Sequence, residues 1–183
     1  SMHPVLFHIG SLTVYTYGVL VATGVIVGLF TARWQARKIG LDPDKIWNLG
    51  IYMVLVALVG SKLWMLLSDW SYYMQNPREI FSFATLQSGG VFYGGMVGGL
   101  LFIILYVLWQ KLRFLAVADA FAAPLALGHS IGRVGCFMAG CCYGKASDLP
   151  WSVVFPSQSL CPLREPLHPA QLYEALGALG IFG

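Results

Sequence analysis

The stretch IWNLGIYMVLVALVGSKLWMLL, residues 46 to 67, decides the fold class, because its one charge is Lys62, near the far end. Roughly 20 mostly apolar residues suffice for a helix to cross the hydrocarbon core of a bilayer. Upstream, Asp42-Pro43-Asp44 reads as a turn and helix N-terminus carrying the acidic residues that a helix dipole favours. Further upstream a second apolar run, residues 12 to 34, ends in Arg33, Arg37 and Lys38. Downstream, residues 69 to 89 are polar and aromatic (Asp69, Trp70, Tyr72, Tyr73, Arg78) and read as an interfacial loop with a Trp/Tyr belt. A third span follows at about 90 to 109, closed by Lys111 and Arg113, and a shorter, more polar one at about 115 to 131 contains Asp119, Pro124 and His129. That polarity places it within the bundle rather than against lipid. Residues 132 to 169 read as loop with a strand-like patch at 151 to 155, and a partial helix starts at about 169. The expected fold is therefore all-α: a polytopic membrane helix bundle with an outward-facing loop region, one transmembrane domain over 1 to 183, reading as a chain cut short at its C-terminus.

Composition agrees with this. Of 183 residues, 57% are hydrophobic and 10% charged, with mean hydropathy +0.70, against about 25% charged in soluble domains. A water-soluble globule is excluded on that balance. The net charge of +3 is small, and the basic residues lie in short clusters between apolar runs, which argues against nucleic acid as a partner. Basic residues concentrate in the connection between the first two spans and in the one after the third. The positive-inside rule makes both cytoplasmic and turns the N-terminus and the 132 to 169 segment outward.

Three stretches carry groups suited to chemistry. In the first, residues 88 to 99 (SGGVFYGGMVGG), glycines at 90, 94 and 98 and at 95 and 99 recur at one-turn spacing. Such a face suits tight helix packing, and it sets the Tyr93 hydroxyl beside backbone that a lipid headgroup can reach. The second, residues 128 to 144 (GHSIGRVGCFMAGCCYG), puts Arg133 between glycines at the end of a membrane segment. A guanidinium there suits bidentate binding of a phosphate diester, and an ionisable residue at membrane depth is a functional hypothesis by default. The competing reading is a side chain that snorkels to the headgroups. The third, residues 167 to 174 (LHPAQLYE), gathers His168, Gln171 and Glu174 at a helix start, where His168 has the right chemistry for a base near neutral pH. Asp119 reads as an internal partner for Arg133 or Lys62, and Tyr17, beside Gly18, as a donor to a headgroup oxygen or a belt residue. A zinc reading of Cys136, Cys141 and Cys142 with His168 finds no ligand spacing to support it; a disulfide from Cys141 or Cys142 to Cys161 suits an outward address better. No metal and no cofactor are expected.

In this order and spacing, Tyr17-Gly18, Gly60-Ser61-Lys62, the Gly-Gly-x-x-Tyr-Gly-Gly run, Asp119 with Pro124, Gly132-Arg133-x-Gly and His168-Pro-x-Gln-Leu-Tyr-Glu resemble the prolipoprotein diacylglyceryl transferase family over nearly the whole chain. The resemblance implies a metal-free bacterial inner-membrane transferase, with its N-terminus and active site facing the periplasm or exterior. Such an enzyme moves the diacylglyceryl group of phosphatidylglycerol to the lipobox cysteine of a prolipoprotein signal peptide, forming a thioether. It assigns phosphate binding to Arg133 as the family's signature arginine; the residues themselves add Tyr93 and His168 as catalytic candidates, and Tyr17, Lys62, Gly94, Gly95, Asp119 and Gly132 as substrate-binding ones. The sequence departs from the family in three ways. Many members have histidine where Tyr93 stands; well-known members have asparagine and glutamate where Cys136 and Cys141 stand; and the family continues into further helices with a second important arginine. The rival expectation is a non-catalytic membrane lipid-binding protein, or an inactive fragment of the transferase.

Overall fold

The computed structural model describes residues 5–9, 12–82 and 92–182. In chain order they form β1 (Val5–Ile9), β2 (Leu12–Tyr15), α1 (Thr16–Lys38), α2 (Pro43–Ser68), α3 (Trp70–Gln75), a 3-10 turn (Pro77–Phe81), α4 (Phe92–Trp109), α5 (Phe114–Ala139) and α6 (Ala170–Phe182). Three helices, α1, α2 and α5, are long and apolar enough to cross a membrane. The 18 residues of α4 rise about 27 Å, close to the ~30 Å hydrocarbon core. The protein is a multi-pass, all-α membrane protein whose residues group into two compact units, 1–35 with 119–183, and 36–118.

In the first unit α1 runs antiparallel to α5 through small residues. A side-chain carbon on Gly24 would stand 3.1 Å from the Gly128 carbonyl oxygen, one on Gly28 would stand 3.5 Å from that of Pro124, and one on Gly135 would stand 3.3 Å from the Tyr17 ring. These pairs advance along one helix as they retreat along the other, so a single glycine-lined seam aligns both helices. Pro124 removes one backbone donor from α5 without ending it, as membrane helices tolerate.

The second unit repeats the device. Gly60 and Gly94 meet backbone to backbone: a side-chain carbon on Gly94 would lie 2.4 Å from the Trp64 Cβ and 2.5 Å from the Gly60 carbonyl oxygen. Gly95 lies against the Ala57 carbonyl and Gly98 against Val56, in antiparallel register. The seam continues with Tyr52 against Phe102, ring centroids 6.2 Å apart, and the Tyr106 hydroxyl donating to the Lys45 carbonyl at 3.4 Å. At the start of α2 the Asp42 carboxylate accepts the Asp44 amide at 2.9 Å, the cap that the Asp-Pro-Asp turn predicts. Leucines 100, 101, 105 and 108 on α4 stay 55–70% exposed, the surface that lipid covers.

Several expectations from the sequence shift. The first apolar run does not open as helix: residues 12–15 pair with β1 (Phe7 with Val14, His8 with Thr13), because a Leu-Thr-Val-Tyr run suits a strand as well as a span. The polar stretch after α2 is structured through Phe81 by α3 and the 3-10 turn, with the Tyr72 hydroxyl donating to Glu79; residues 83–89 lie outside the described residues, as does Gly90. The fourth span runs through Ala139 instead of stopping at 131, so Gly132, Arg133 and Cys136 are helical and not loop. Within this extension Gly135 is a contact point, lying under Tyr17 and Leu20. The strand-like 151–155 patch contributes one isolated bridge, Val153 with Leu167.

The α2–α4 contact makes a prediction. Gly94→Ala drives a methyl into the Trp64 Cβ and the Gly60 backbone and should lower stability by about 1–3 kcal/mol, as overpacking does. Gly99→Ala, which meets nothing within 4 Å, should be neutral or better. Thermal melts of both variants in one detergent check the difference.

Candidate active site

Arg133 sits in the penultimate turns of α5; its side chain is 26% exposed, and its Nε meets the Glu174 carboxylate of α6 at 2.7 Å. One turn back on α5, His129 faces the same group: its Nε2 lies 3.9 Å from the carboxylate and accepts from Arg133 Nε at 3.5 Å. Between them the Ser130 hydroxyl, buried, donates to the Ala175 carbonyl at 2.8 Å. The arginine is thus tied to the first turns of α6 by one charge pair and one flanking hydrogen bond.

The α6 start is itself tied to the segment after α5. Gln171, wholly buried, donates from Nε2 to the Cys141 carbonyl at 2.5 Å. The Gly144 amide donates to the His168 carbonyl, and the His168 amide to that of Lys145, both at 2.9 Å. A third connection runs through side chains. Trp151 Nε1 donates to the Tyr173 hydroxyl at 2.8 Å, and that oxygen lies 3.1 Å from His168 Nδ1. A phenol oxygen has two lone pairs, so it can take both the indole N–H and an Nδ1–H, which leaves His168 Nε2 with its lone pair free. Beneath lies a small core of Phe155, Cys161 and Leu167 with Phe137 and Tyr143. Arg164 holds this loop by donating to the carbonyls of Cys161 (2.7 Å), Leu163, Phe155 and Ser157.

The other residues singled out by sequence divide between the units. In the first, Tyr17 opens α1 with its ring against Gly135, two residues beyond Arg133, and within electrostatic reach of that arginine. Gly132 has open space where a side chain would stand. Asp119 is exposed near the start of α5, 14 residues before Arg133 and so about 21 Å along the axis; it cannot be that arginine's partner, and Glu174 is. In the second unit Gly94 and Gly95 are taken up by contact with α2, Tyr93 is 64% exposed, and Lys62 is half-buried on α2.

All four cysteines are free thiols, and the pairing of Cys141 or Cys142 with Cys161 does not form; Cys161 is buried, its thiol on the Leu163 carbonyl at 3.6 Å. Nor does His168 join the other three, being engaged with Tyr173. Burial pushes the Cys141 thiol up to about 12, with the neighbouring thiols of Cys136 and Cys142 adding to it. It therefore stays protonated at neutral pH and is neither a base nor a nucleophile there.

Sequence reasoning missed Glu174 as the partner of Arg133 and Trp151 altogether. The first had a signal, since Gln171 and Glu174 share a face of α6 at one-turn spacing; the second, a lone tryptophan in a loop, had none. The close approach at Gly144 makes a prediction: a side-chain carbon there would stand 2.7 Å from the His168 Cβ and 3.0 Å from its carbonyl oxygen. Gly144→Ala should cost about 1–3 kcal/mol, read as a lower melting temperature, while Gly177→Ala on α6, with nothing within 4 Å, should cost nothing.

The sequence matches the prolipoprotein diacylglyceryl transferase family over residues 4–183. It is 35% identical over 183 residues to phosphatidylglycerol–prolipoprotein diacylglyceryl transferase 2 of Clostridium perfringens, covering 99% of the chain and 71% of that relative. The Clostridium tetani transferase is 34% identical over 96% of the chain and 69% of its own length, and the Trichormus variabilis transferase 33% over 100% and 65%. With identities above 30% across essentially all of its residues, the chain belongs to the prolipoprotein diacylglyceryl transferase family.

Proposed function

We propose that the protein transfers the diacylglyceryl group of phosphatidylglycerol to the cysteine thiol of a prolipoprotein signal peptide, at a site opening to the outer half of the bacterial inner membrane. The observation that carries this is the Arg133–Glu174 pair: a membrane-embedded guanidinium held at 2.7 Å by a carboxylate from another helix, a partner that a lipid phosphate can replace. A guanidinium fork matches two phosphate oxygens as it matches two carboxylate oxygens. The charge pattern of the connections supports the outward orientation.

In the reaction the thiol sulfur attacks the glyceryl carbon that bears the phosphate ester. A C–S bond forms, the C–O bond breaks, and glycerol phosphate leaves with the electron pair. Arg133 stabilises the charge that develops on the departing phosphate, a contribution that grows toward the transition state. The thiol proton passes to His168 Nε2, whose lone pair is free when Nδ1–H is donated to Tyr173, and then to the leaving phosphate. Tyr173 and Trp151 act through the imidazole by fixing its orientation, and Tyr17 packs beside Arg133 at the headgroup end of α1. Gly132 leaves room for the phosphate. Tyr93, exposed, donates to glycerol or phosphate oxygens, and Lys62 contributes to headgroup binding. Asp119, about 21 Å from Arg133 along α5, takes no part in that binding.

Two measurements on the full-length protein test this, each reading lipid transfer to a lipobox peptide. Arg133→Ala should lower transfer by about 100-fold or more, the scale of losing an electrostatic donor, with Arg133→Lys intermediate because an ammonium lacks the fork; unchanged transfer removes Arg133 from the reaction. His168→Asn should lose about 100-fold, whereas Tyr173→Phe, which removes only a hydrogen bond to the imidazole, should slow transfer less. Unchanged transfer in His168→Asn would assign the proton to another group.

A further inference from the structure

The thiols of Cys136, Cys141 and Cys142 lie within 4.8 Å of one another, and the departure from Cys-x2-Cys spacing is explained by how α5 ends. Gly140 turns the chain with φ +77, its amide donating to the Phe137 carbonyl while the Cys141 amide donates to the Cys136 carbonyl, each at 3.1 Å. This is a Schellman cap, and such a cap brings together the side chains that here are Cys136 and Cys141. Ordinarily that contact is a simple apolar one, which two thiols satisfy. It does not call for a third. Cys142 joins them through its own left-handed backbone, φ +61, a conformation that non-glycine residues adopt only where something holds them there. The Gln171 side chain fixes the same turn from α6 by taking the Cys141 carbonyl.

We propose that these three cysteines form a binding site for a soft divalent cation of the zinc and cadmium class. Sulfurs about 2.3 Å from a tetrahedral zinc stand about 3.8 Å apart, which the three thiols reach by side-chain rotation within the turn. Thiolates select soft ions over hard ones. Binding replaces the S–H bonds by sulfur–metal bonds and releases the protons to solvent, with no electron transfer. Three thiolates and a divalent ion carry a net charge of −1, whereas a monovalent ion would leave −2. Cys142 is exposed, so the ion has an entry path and a fourth position open to solvent. Cys161, buried under Phe155 and Leu167, takes no part.

The test uses the full-length protein in detergent, reduced and then freed of reductant without oxygen, and titrated with cadmium chloride. A sulfur-to-cadmium charge-transfer absorption should rise and saturate at one ion per chain. Cys161→Ser should leave the titration unchanged, and Cys142→Ser, at an exposed position outside the helix, should weaken it by at least roughly tenfold, the scale of losing even an outer-shell partner of a metal site. Circular dichroism and the melting temperature establish that each variant is folded. Three results would overturn the proposal: no absorption band, a band that titrates with unchanged affinity in folded Cys142→Ser and Cys136→Ser, or a mass spectrum showing two of the three sulfurs already joined under these conditions.

Discussion

A guanidinium inside a membrane segment cannot be left to itself. Hydrocarbon offers it no hydrogen-bond partner, and a charge at that depth has to be paired, hydrated or drawn to the interface. The pairing of Arg133 with Glu174 at 2.7 Å meets that requirement and in doing so fixes the position of α6. Ser130 adds a hydrogen bond on the buried side, Gln171 reaches the turn after α5, and the short bridges at Gly144 and Lys145 close the loop between. Nearly every polar connection around the candidate site is a consequence of bringing one carboxylate to one arginine.

The remaining association is done without charge. Lipid tails are as apolar as leucine, so helices gain nothing by hiding hydrophobic side chains from them, and close backbone contact has to supply the attraction. Both units obtain it from glycine. The α1–α5 seam at Gly24, Gly28 and Gly135 and the α2–α4 seam at Gly60, Gly94 and Gly95 let carbonyls lie where side chains would otherwise stand. The leucines of α4 are correspondingly left outside, the inverse of a soluble helix.

How much of this was legible in the sequence depends on whether the signal was one of composition or of partner. Span existence was legible because hydropathy over about 20 residues integrates many small contributions. The capped start of α2 was legible because Asp42-Pro43-Asp44 carries its own hydrogen-bond logic. The extent of α5 was not, since a glycine such as Gly135 breaks helices in water and joins them in a membrane, and the sequence alone does not say what packs against it. Residues 12–15 were misread for a related reason: β-branched and aromatic residues raise hydropathy whether they form strand or helix. At the site, Arg133 stood out as a cation at membrane depth, yet its partner was sought at Asp119, the carboxylate inside the spans. Glu174 lay in a motif already noticed for its spacing, 41 residues on, and only the return of the chain through the cysteine-rich loop brings it into contact.

Arginine identity alone therefore does not mark the site, and the contrast with Arg164 shows what does. That side chain sits in the loop between α5 and α6 and makes more hydrogen bonds than Arg133, but its acceptors are the carbonyls of Phe155, Ser157, Cys161 and Leu163. Those oxygens belong to the backbone that the guanidinium is holding in place, so no ligand can replace them without undoing the loop. Arg133 is bound instead to a carboxylate that is 48% exposed and can turn aside. A cation whose partner is an anion of its own ligand's kind can exchange one for the other at modest cost, because the charge stays paired throughout. That exchangeability separates an arginine suited to bind a phosphate diester from one that serves the fold.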